Sequence, residues 1–114
     1  MAKVVVKDTD LIDKFISLLD DANQYAVNNS ALQLEGEIKR RTPVQTGRLR
    51  SSMEQNETSR TSAEVFTDVD YAQYVEFGTS RQKAQAMMRS AFDDNVNKLF
   101  DVFIQAYKRF FSQL

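Results

Sequence analysis

The chain contains a single proline, Pro43, and it falls where one periodicity gives way to another. Upstream, Leu11, Phe15, Leu18, Ala22 and Tyr25 recur at helical steps, and Val27, Ala31, Leu34 and Ile38 form a second stripe rotated from the first. The spacing predicts one long helix over residues 10–41, with the weak helix formers Asn28, Asn29 and Ser30 marking a place for a bend. Asp8, Thr9 and Asp10 offer N-cap chemistry, and Lys39, Arg40 and Arg41 suit the negative C-terminal end. Thr42, which precedes Pro43, is driven out of the helical region. The helix must therefore stop there, and the run K-R-R-T-P-V-Q-T-G-R-L-R-S-S (residues 39–52) must turn the backbone.

Beyond the turn the pattern alternates. Leu49, Ser51 and Met53 are expected on one side of a strand over residues 48–57, and Ala63, Val65, Thr67 and Val69 on a second strand. Together they form a hairpin with a polar tip at residues 56–60, whose one awkward member is Phe66, apolar on the wet face. Asp70, three residues before Gln73, has the form of a capping box. Gly78 offers a left-handed stop, so residues 71–77 read as a short helical turn. After a basic loop at residues 79–85, the helical period returns from Ala86 to the end. Met88, Phe92, Val96, Leu99, Phe103, Ala106 and Phe110 mark one stripe, with Phe100, Ile104, Tyr107 and Phe111 beside it. So broad an apolar surface exceeds what one face of a small domain needs, and part of it is expected to dock a neighbouring subunit. Before the first helix, Lys3 to Lys7 is a β-branched run bracketed by lysines, an edge strand or arm.

The expected fold class is α+β: a long N-terminal helix, an antiparallel hairpin, a short helical turn and a long C-terminal helix packed on the sheet. The 114 residues are expected to form a single domain, residues 1–114. No apolar run approaches the roughly 20 residues of a membrane span, and no membrane role or signal peptide is expected.

Composition narrows the chemistry. There is no cysteine and no histidine, which removes thiolate metal sites, the commonest metal ligand and the usual near-neutral general base. No catalytic residue, metal or cofactor is expected, and the chain does not read as an enzyme. Net charge is −1, yet residues 39–50 carry five bases and no acid, and residues 80–91 carry three bases and no acid. The stretches at 1–38 and 51–79 are acidic, with seven acids to three bases and six to one. Basic loops set between acidic elements suit complementary contact between copies.

Two segments are the most informative in combination: R-T-P-V-Q-T-G-R-L-R-S-S, then about twenty residues later D-Y-A-Q-Y-V-E-F-G-T. The pair resembles the signature of the head–tail joining (tail-completion or neck, minor tail component) proteins of long-tailed bacteriophages and prophages. Pro43, Thr46, Gly47, Leu49, Arg50 and Ser52 match its first half. Tyr71, Ala72, Tyr74, Val75, Glu76, Gly78 and Thr79 match its second. The order and spacing extend the likeness over nearly the whole chain. One departure stands out: where the family usually enters its last helix through a proline-bounded P-F-x-x-P-A, this chain has Ala86-Met87-Met88-Arg89-Ser90-Ala91.

The resemblance implies a structural virion protein that assembles as a ring, typically a hexamer, at the head–tail junction or tube end, and that is a monomer in solution until it docks. Its partners would be copies of itself and the connector, neck and tail-tube proteins, with genomic DNA passing through the lumen. Assembly candidates are Arg41, Pro43, Thr46, Gly47, Arg48, Arg50, Tyr71, Tyr74, Glu76, Gly78 and Thr79. Pro43 and Gly47 would set the loop's direction, and Thr46 would bond the turn backbone. Glu76 would pair with Arg48 or Arg50, and Tyr71 and Tyr74 would pack with polar tips. The alternative is a small nucleic-acid-binding module using the basic loop at residues 39–50 against phosphates. The sequence pI near 5.4 and the lack of a known binding motif weigh against it.

Overall fold

The helical pattern before Pro43 forms one helix, α1 (Asp8–Arg41), which runs through Asn28, Asn29 and Ser30 without interruption. The computed structural model describes residues 2–5, 7–43 and 47–112. Five elements follow α1: α2 (Arg48–Ser51), β1 (Glu54–Ser59), β2 (Ser62–Phe66), α3 (Ala72–Phe77) and α4 (Met87–Phe111). The α+β order is the expected one. Three local expectations change. The start of α1 is capped by extended Lys7 without a side-chain bond, so Asp8, Thr9 and Asp10 fall in the first turn. The Asp70–Gln73 capping box does not form, since Tyr71 is the N-cap of α3 and makes no side-chain cap bond.

The third change is in the stretch expected to be a strand from residue 48. Residues 48–51 are a single helical turn instead, and β1 begins only at Glu54. The reason is local bonding. Gly47 adopts φ 73°, after which Ser51 N–H donates to the Gly47 carbonyl at 2.9 Å and Ser52 N–H to that of Arg48 at 3.0 Å. The Ser52 hydroxyl also donates to the Leu49 carbonyl, at 2.6 Å. Serine hydroxyls compete in this way with extended pairing. The turn buries Leu49 and Met53, four residues apart, and leaves Ser51 exposed.

β1 and β2 pair antiparallel, Glu54 opposite Phe66 and Asn56 opposite Glu64, with an irregularity between Glu57 and Ser59. Much of the expected polar tip is therefore strand. Arg60 at the tip reaches Asp20 of α1 at 2.6 Å, and Gln24 donates to Glu57 at 3.0 Å, so the hairpin is held along the helix.

α4 lies chiefly along α1, and the hairpin also rests mainly on α1, so helix–helix packing replaces much of the expected packing of α4 on the sheet. Small side chains explain the close approach. Ala22, Ala26 and Ala31 of α1 are buried, as are Ala91, Asn95 and Ala106 of α4. The buried stripe of α4 is thus Met87, Ala91, Asn95, Leu99 and Ala106, rotated from the phenylalanine stripe read in the sequence, and Phe92, Val96 and Phe100 remain exposed. Tyr107 donates to Asn23 at 2.6 Å across the pair.

The main core gathers at one end, where Ile38, Leu49, Met53, Val69, Ala72, Val75, Met87 and Ala91 pack together. The molecule measures 83 × 22 × 21 Å, with a radius of gyration of 20.1 Å. A compact domain of this length would have a radius of about 13 Å. It is a rod with a cored loop pole and a bare helix-pair pole.

Candidate assembly site at the loop pole

The fold brings the two signature segments to one place. Pro43, Arg48 and Leu49 from the first, and Tyr71, Tyr74, Val75 and Thr79 from the second, line a single cleft of about 560 Å³ that Gln82 and Gln85 complete. Each wall has a defined cause. Thr42 is buried with its hydroxyl donating to the Ile38 carbonyl at 2.6 Å, which closes the end of α1 and aims the chain at Pro43. Gly47 then turns the chain back through a left-handed conformation into α2.

The second wall rests on Gly78. Its N–H donates to the Tyr74 carbonyl at 2.8 Å and ends α3; φ is positive at 78°, but ψ of 175° puts Gly78 in the extended glycine-only region and not in the expected left-handed helical one. A Cβ there would come within 2.6 Å of the Ala84 backbone nitrogen and 2.9 Å of the Gln82 carbonyl oxygen. Only glycine fits, on grounds of both conformation and space. The 79–86 loop folds back over this point. Thr79 N–H donates to the Gln82 carbonyl at 2.8 Å, Gln85 N–H to that of Val75 at 2.8 Å, and Ala86 N–H to that of Glu76 at 3.1 Å. Ala86 itself takes φ 44°, a left-handed conformation that disfavours a residue with a Cβ.

Glu76 is only 7% exposed and turns away from the cleft. Its Oε1 accepts the Met88 N–H at 2.8 Å, and its Oε2 accepts the Arg89 N–H at 3.1 Å. The carboxylate thus caps α4 from a different helix, at the positive end of the dipole, where the first turn contributes no acid of its own. The expected pairing with Arg50 is not among the ion pairs of the described residues, and Arg50 is exposed outside the cleft. The missing prolines before α4 have a counterpart here: Glu76 and the left-handed Ala86 start the helix.

Arg41, half-buried, bonds Asp94 of α4 at 2.7 Å, and Lys39 bonds Glu35 at 3.0 Å. Arg40 pairs with Glu37. Much of the basic end of α1 is thereby neutralised within the chain. Thr46 lies outside the described residues. Tyr74, 50% exposed, and Tyr71, 36%, both border the cleft and leave ring surface to solvent. The tie that the sequence did not reveal is Arg41–Asp94, since a partner 53 residues away leaves no local pattern.

Among the described residues no group of acidic, histidine or cysteine side chains could hold a metal ion, and no helix is long and apolar enough to cross a membrane. The cleft offers two aromatic rings, an arginine and the polar side chains of Thr79, Gln82 and Gln85.

The chain has no significant match among curated proteins or solved structures. A family profile described as "Bacteriophage HK97-gp10, putative tail-component" matches residues 9–78, from the first turn of α1 to Gly78, more than half of the chain, with all of the first signature segment and the second as far as Gly78. The chain belongs to this HK97-gp10-like family of phage tail components.

Proposed function

We propose that this protein is a structural virion component that forms a ring at the head–tail junction or at the end of the tail tube, and joins or completes the tail there. The observation that carries the reading is the convergence of the two signature segments on one cleft, whose Tyr71 and Tyr74 rings border solvent instead of filling the core. The protein works by shape and self-association.

Charge supports a head-to-tail arrangement of copies. The outer face of the hairpin presents Glu54 and Glu64, followed by exposed Asp68 and Asp70. The loop pole presents exposed Arg50, Arg81, Lys83 and Arg89. Different patches of opposite sign on one chain suit a heterologous interface, the kind that closes into rings. Pro43, Gly47 and Gly78 shape the backbone of this surface; Arg41 and Glu76 brace it from behind; Arg48, Arg50, Tyr71, Tyr74 and Thr79 form its front.

Electron microscopy of particles made without this gene tests the role. Separate filled heads and finished tails are expected; normal joined virions would overturn it. A Tyr74→Ala protein that keeps its circular dichroism and thermal melt but fails to restore joined particles would assign the defect to the cleft.

A further inference from the structure

Beside the hairpin lies a second concavity, larger than the cleft and far more apolar. It is a groove of about 670 Å³ with α1 (Ala31) as its floor, α4 (Phe92, Val96, Phe100) as one wall and β2 (Ala63, Val65) as the other. Phe100 is 65% exposed, and no β1 residue contributes to the lining. Among the described residues β2 pairs only with β1, so its other backbone edge is open.

We propose that the occupant of this groove is the N-terminal arm of a second copy, which adds as a strand along the open edge of β2. The arm has the right chemistry. Its sequence is K-V-V-V-K, Val4 is 90% exposed, and Lys7 is already extended at φ −110°, ψ 130°. Three consecutive valines between two lysines make a five-residue run, the length of β2. Alternation along an added strand puts Val4 on the floor side and both lysines on the opposite side. The α4 rim, next to Phe92, carries exposed Asp93.

Reach decides that the arm comes from another molecule. Residues 2–7 span about 20 Å at full extension, whereas Ala31 lies about 35 Å along α1 from Asp8. A chain's own arm stops near the hairpin tip, which Arg60 pins to Asp20. Arm-to-groove contact is heterologous and propagates from copy to copy. Its biological use rests on the ring reading above; the test below reads the groove alone, while particle morphology reads the joining role.

The absence of cysteine makes cross-linking specific. Full-length Val5→Cys and Ser62→Cys proteins, mixed under mild oxidation, are expected to form the mixed disulfide faster than Val5→Cys mixed with Ser112→Cys, an exposed position at the far end of α4. D93K in the groove partner should slow the reaction by about threefold at low salt, and K3D/K7D in the arm partner should restore it. All three charges are exposed, so these changes leave the core untouched. Cross-linking no faster than with the Ser112→Cys control, or a rate indifferent to the charge reversals, would overturn the proposal.

Discussion

At the loop pole Ile38, Met53 and Met87 are almost wholly buried among residues drawn from four separate segments of the chain, whereas at the opposite pole Leu11, Ile12, Phe15 and Ile16 lie more than half exposed along one helix. The far pole is held by a few edge contacts. Phe15 stacks on Phe111 with centroids 5.2 Å apart, Tyr25 meets Phe110 edge-on at 5.6 Å, and Arg109 lies over the Tyr25 ring and donates to its hydroxyl at 2.8 Å. One end is a small globule of crossed segments; the other is a pair of helices with apolar flanks. The lesson is that the signature residues stand where stability is concentrated, so many of them serve the scaffold, while the exposed apolar surface lies elsewhere and is free for contact.

The comparison can be broken by mutation. Gly78→Ala should cost the most, about 3–5 kcal/mol, because it adds a positive-φ penalty to a clash with backbone that cannot swing aside. A thermal melt shows it, and an unchanged midpoint would mean that the 79–86 loop does not pack as described. Ile38→Ala should follow at about 3 kcal/mol, against about 1 kcal/mol for Phe15→Ala at the bare pole. Equal losses in urea unfolding would erase the distinction between the poles.

Glu76→Gln tests the brace behind the cleft. It retains one good acceptor for the α4 amides and loses the charge, for an expected cost of about 1–2 kcal/mol. Hydrogen exchange should show the first turn of α4 opening before the rest of the helix. The smallest effect belongs to Arg41 and Asp94. A double-mutant cycle should give a coupling of under about 1 kcal/mol, because Asp94 is well exposed.

Much of the fold was legible before the structure. The long helix and its stop at Thr42, the hairpin, the short helix ended by Gly78 and the last helix all follow from periodicity and turn chemistry. Errors arose where two local forces competed. Residues 48–53 alternate convincingly, but Gly47 and the hydroxyls of Ser51 and Ser52 favour a helical turn that buries Leu49 and Met53 equally well. On α4 the expected stripe shares Leu99 and Ala106 with the buried face, while Phe92 and Val96 of the same stripe are exposed. The helices approach through alanines, which leaves the phenylalanines on the flanks.

The sequence by itself determined where α1 and α3 end, that Gly47 and Gly78 stand at turns, and that two short motifs belong together, since each is a consequence of neighbouring residues. Tertiary structure alone decided that Glu76 caps α4, that Arg41 reaches Asp94, and that the two motifs enclose a cleft. Such pairings depend on how far one helix rotates and slides against another. That is set by the sum of many side-chain contacts across α1 and α4, and no single residue announces it.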